Sequence, residues 1–160
     1  MSVSQADIEE VTRQLGRPAR GIVEIAARCV CGRPLVVKTT PRLDDGTPFP
    51  TLYYLTQPAA TAAISGLEAT GFMAEMQTVL AEDDLVRDAY NRAHRSYLEE
   101  REALEEVEEI ADFSAGGMPV RVKCLHALAA HSLAKGQGVN PIGDLALEAM
   151  TWSPLVCSCL

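Results

Sequence analysis

The spacing of apolar and polar positions divides the chain into a short helix, a strand-rich segment and a long helical remainder. Ile8, Val11 and Leu15 recur at helical intervals behind Ser4, whose hydroxyl suits the free amides of a first turn. This predicts a helix over Gln5–Leu15 that Gly16 and Pro18 bring to an end. From Gly21 to Thr40 the pattern becomes strand-like. Ile22, Val23 and Ile25, then the turn Cys29-Val30-Cys31-Gly32-Arg33-Pro34, then Leu35, Val36 and Val37 predict a β-hairpin. The stretch 41–50, with three prolines and a glycine, predicts a structured loop, and 51–56 a third strand.

After Pro58, suited to a first helical turn, the period returns to helix: about 58–69, a break near Gly71, and about 72–81. A long helix is predicted from Asp83 to Ile110. Its positions 86, 90, 93, 97, 100, 104, 107 and 111 alternate steps of four and three, a stripe that only Glu100 interrupts. Such a helix needs cover along its length, from the chain's own core, a second copy or another protein. Gly116, Gly117 and Pro119 introduce a helix over about 119–134, whose apolar side chains Val120, Val122, Cys124, Leu125, Leu128, Ala129 and Leu133 surround more than half its circumference, as in a buried element. Pro141–Met150 predicts a last short helix. The resulting expectation is one α+β domain over 1–160: a small antiparallel sheet of about three strands packed on a helical bundle with one long acidic helix.

Charge sharpens this picture through its distribution. Residues 99–112 hold eight acids against Arg101 alone, whereas residues 13–42 hold seven bases against Glu24 alone, within a net charge of −8. The acidic total argues against nucleic acid as a partner, while the acidic helix suits a protein partner and the basic segment an anionic small molecule. No apolar run approaches the roughly 20 residues that cross a bilayer. Met1–Gln14 lacks the basic start and apolar centre of a secretory signal, so a reducing cytoplasm is expected, and with it free or metal-bound thiols.

Five thiols then become the main candidate chemistry. Cys29 and Cys31 on a glycine-containing turn supply half of the four soft ligands that zinc prefers. Cys124 from the buried helix and Cys157 from the tail complete the expected set, with His126 and Cys159 as substitutes. On a regular helix Cys124 and His126 lie about 200° apart, and Cys124 and His131 about 10 Å apart along the axis. That geometry favours one ligand from this helix and argues against Cys124 acting as a nucleophile with either histidine as its base. Four protein thiolates leave no open position for water, which marks the site as structural. A second constellation is cationic: Arg121 and Lys123 near a helix start, with His126 and with Arg42 from the proline-rich loop, form an anion-binding expectation.

Two long segments, TPRLDDGTPFPTLYYLT over Thr40–Thr56 and GGMPVRVKCLHALAAHSLAKG over Gly116–Gly136 with GVNPIGD over Gly138–Asp144, together with the Cys-x-Cys-Gly turn, resemble the bacterial family catalogued as domain of unknown function 501. The resemblance covers about residues 15–150. It marks Cys29, Cys31, Arg121, Lys123, Cys124, His126, His131, Asn140 and Asp144 as motif positions without assigned roles, and it implies one equivalent thiol in the tail. Two functional expectations follow from the residues: a zinc-stabilised binding or regulatory protein, and an enzyme or binding protein for an anionic small molecule, phosphorylated ones included.

Overall fold

The computed structural model describes residues 3–159. Among these residues six α-helices and three strands follow one another as α1 (Gln5–Leu15), β1 (Ile22–Arg28), β2 (Pro34–Thr39), β3 (Tyr53–Leu55), α2 (Pro58–Glu68), α3 (Phe72–Glu82), α4 (Asp84–Leu104), α5 (Leu125–Lys135) and α6 (Pro141–Ala149). The fold is α+β, as the periodicities predict. Ser4 caps α1 through a bond from the Asp7 amide, and Gln57 and Asn140 do the same for the proline-led α2 and α6.

The sheet is antiparallel in the order β1-β2-β3, with Ile25 opposite Val37 and Val36 opposite Leu55. Its middle strand runs Leu35-Val36-Val37 without alternation because both faces are covered. Helix α5 packs against all three strands, and α1 lies on β2. Leu35, Val36, Tyr53, Tyr90, Tyr97, Leu125, Leu128 and Ile142 form a single core with α2, α3 and α6 around them.

Two predicted boundaries move, each for an identifiable reason. The long helix ends at Leu104, and a 3₁₀ turn over Glu108–Ile110 follows. Arg101 is only 2% exposed and donates to the carbonyls of Pro50 (2.7 Å) and Ile110 (2.6 Å), so the chain beyond Leu104 folds back to meet a buried guanidinium. The stripe of α4 is covered by the chain's own core through Tyr90, Ala93 and Tyr97. Glu100, its polar member, accepts from the Tyr53 hydroxyl and pairs with Lys135 at 2.8 Å.

Helix α5 begins at Leu125 rather than near Pro119, because other elements claim the backbone before it. Gln77 donates to the Val120 carbonyl and accepts from the Val122 amide, and the Tyr90 hydroxyl donates to the Arg121 carbonyl. The segment is thus held extended and turned, and Val120, predicted to be buried, is 69% exposed.

Candidate metal centre

The thiol turn is built by local bonding. Gly32 donates to the Cys29 carbonyl and Cys29 to the Arg33 carbonyl, both at 2.8 Å, which closes the hairpin around Val30 and Cys31. Gly32 has φ +94°, a left-handed conformation that glycine adopts without steric penalty. Arg28 braces the turn from outside, reaching the Gly32 carbonyl and the Asp7 carboxylate of α1. Cys29 points inward and is buried, whereas Cys31 is exposed.

The tail returns to this turn. The candidate donor atoms of Cys29, Cys31, Cys157 and Cys159 all lie within 4.8 Å of one another. Sulfurs bound at about 2.3 Å in a tetrahedron stand about 3.8 Å apart, and the Cys31 and Cys159 sulfurs are 3.7 Å apart. The donor set and spacing therefore fit a tetrathiolate zinc ion. Outer groups suit it as well: the Arg33 amide and guanidinium approach Cys31, and buried Gln57 donates to Cys159 at 3.0 Å while its carbonyl caps α2. The Arg33 amide draws the Cys31 thiol down to about 6, and burial pushes Cys159 up to about 11. Between these two, charge settles first on Cys31.

Of the expected set, Cys29, Cys31 and Cys157 lie together, and Cys159, the expected substitute, lies with them; Cys124 is not in this group. Cys124 lies instead with Glu68 and His126, their donor atoms also within 4.8 Å of one another. A separation of about 200° between Cys124 and His126 holds only where both sit inside a regular helix. Because α5 starts at Leu125, Cys124 is its extended N-cap residue and its side chain turns toward His126. The His126 hydrogen bond lowers the Cys124 thiol and raises the imidazole in return. Glu68, at the end of α2, accepts from the Leu125 amide with one oxygen and pairs with His126 Nδ1 through the other, at 2.9 and 3.2 Å. Nothing in the sequence pattern marked Glu68, since its partner lies 57 residues away.

Two of the four residues of the anion-binding expectation, Arg42 and His126, have separate acidic partners. Arg42 reaches Glu109 at 2.9 Å and Glu105 at 3.7 Å, tying the proline-rich loop to the acidic segment. His126 is held by Glu68, and Arg121 and Lys123 are exposed. Asn140 and Asp144 have structural partners: Asn140 caps α6 and meets His131, and Asp144 accepts from the Gly138 amide.

The chain matches the family model described as protein of unknown function (DUF501) over residues 25–148. It belongs to that family. No curated protein and no solved structure matches the chain. The DUF501 match includes the Cys29–Cys31 turn and the whole Glu68, Cys124 and His126 group, while Cys157 and Cys159 lie beyond it. No helix among the described residues is long and apolar enough to cross a membrane.

Proposed function

We propose that this DUF501 protein is a zinc-stabilised binding or regulatory protein, in which Cys29, Cys31, Cys157 and Cys159 hold the ion and fasten the tail to the N-terminal hairpin. The observation that carries this reading is the convergence of four thiols from two distant parts of the chain, with amide and guanidinium donors already aimed at their sulfurs. Four thiolates around a divalent ion carry a net negative charge, and Arg33 and Arg13 stand close enough to offset it. A closed tetrathiolate shell assigns the ion a structural task, and reduced thiols suit a cytoplasmic setting. The acidic stretch 102–109 then supplies a surface for a basic protein partner.

Metal analysis tests the site. Protein purified without added metal should carry about one equivalent of zinc or more, and Cys31→Ser should remove about one equivalent; a wild-type content below about one-tenth equivalent overturns the reading.

A further inference from the structure

We propose that Glu68, Cys124 and His126 form a second, separate metal site, a three-ligand centre for a borderline divalent cation such as zinc, with its fourth position open to water or another exchangeable ligand. The three side chains bring one carboxylate oxygen, one sulfur and one imidazole nitrogen within 4.8 Å of one another. Oxygen and nitrogen ligands at about 2.0–2.1 Å from a tetrahedral zinc stand about 3.3 Å apart, and Glu68 Oε1 and His126 Nδ1 are 3.2 Å apart.

The surroundings match what such ligands require. A histidine that binds metal through one nitrogen is oriented by a hydrogen bond at the other, and His126 Nε2 meets the Ser65 hydroxyl at 3.2 Å. Ser65 and Glu68 lie three residues apart on one face of α2, so a single rigid element sets both the carboxylate and the group that orients the imidazole. Glu68 is fixed as well: its second oxygen accepts from the Leu125 amide at 2.9 Å, leaving Oε1 for the ion. Cys124, as N-cap, is set by bonds of its own backbone to the Gly116 carbonyl and from the Leu128 amide. All three ligands are half-buried, so solvent reaches the cluster. With three protein ligands this centre differs in kind from the closed tetrathiolate, because an open position permits a bound water to be activated or an anionic ligand to enter.

Cobalt titration of the metal-free full chain tests this, because four sulfurs give a much stronger thiolate-to-cobalt absorption than one. Wild type should bind two equivalents. Cys31→Ser should remove the strong absorption and keep the weak one. Glu68→Gln, which retains an oxygen to cap α5, and Cys124→Ala should each lose one equivalent while keeping the strong absorption, with far-ultraviolet circular dichroism unchanged. A wild-type stoichiometry of one that Cys31→Ser abolishes, or two equivalents persisting in both Glu68→Gln and Cys124→Ala, overturns the second site and leaves the tetrathiolate standing. A stoichiometry of one that Glu68→Gln abolishes and Cys31→Ser retains does the reverse.

Discussion

His131 shows how much the environment of one residue decides. It is fully buried against the face of Tyr53 and the edge of Tyr97, with ring centroids at 5.9 and 5.0 Å. The Asn140 amide donates to its Nδ1 at 3.1 Å, which puts the proton of the neutral ring on Nε2. Burial lowers its pKa to about 4, although Glu100 and Asp144 pull the other way; Lys135 adds to the depression. Between pH 6.5 and 4 the unfolded chain binds this proton and the folded chain does not, so the folded state loses stability as pH falls through that window. The cost is on the order of 3 kcal/mol. Urea unfolding of wild type and His131→Phe at pH 7.5 and pH 4.5 should show a smaller acid loss in the variant; equal losses would refute the assignment. Arg101 teaches the same lesson. In the sequence it is the lone base of an acidic run, the profile of a solvated residue, yet two backbone carbonyls draw it fully inside. Those carbonyls come from a loop and a turn that local pattern does not place beside it.

At the scale of elements, the helices with a cap and a clear period were legible almost to the residue. Ser4 fixes the start of α1, and Pro58 and Pro141 those of α2 and α6. The hairpin was legible for a similar reason, since glycine in the turn and apolar flanks are local signals. The starts and ends that moved are those set from a distance: α5 by Gln77 and Tyr90, α4 by Arg101. The candidate site divides in the same way. Its turn was readable, whereas the approach of Cys159 to that turn and the grouping of Glu68 with Cys124 depend on where whole elements come to rest. The packing of α5 on α6 offers a sharp test of that placement. A Cβ on Gly143 would stand 2.2 Å from the Leu128 carbonyl oxygen and 2.3 Å from Ser132 Oγ. Backbone cannot retreat as a side chain can, so Gly143→Ala should cost at least about 2 kcal/mol in chemical denaturation. A loss below about 0.5 kcal/mol, the scale of an ordinary surface change, would contradict the close approach.

For the molecule as a whole, the two proposed centres bind different bodies of structure. The tetrathiolate joins the hairpin to the tail across 128 residues of chain, and the second centre joins the end of α2 to the start of α5. Chelation should therefore loosen the molecule unevenly. Hydrogen exchange followed by mass spectrometry should show protection lost over the tail from residue 151 onward and around the thiol turn, with α4 and β2, buried in the common core, changing little. Uniform loss across the chain would argue against the clasp. The hairpin turn, finally, is closed by its own backbone bonds from Cys29 and Gly32, while the tail thiols owe their position to the docking of Trp152 and Cys159 on the core and the Gln57 bond. Half of the candidate ligand set thus rests on local backbone bonding and the other half on tertiary docking. For the proposed zinc centre this makes the tail the dependent partner: a change that undocks it, such as Trp152→Ala, should weaken metal retention while leaving the turn's own backbone bonds intact.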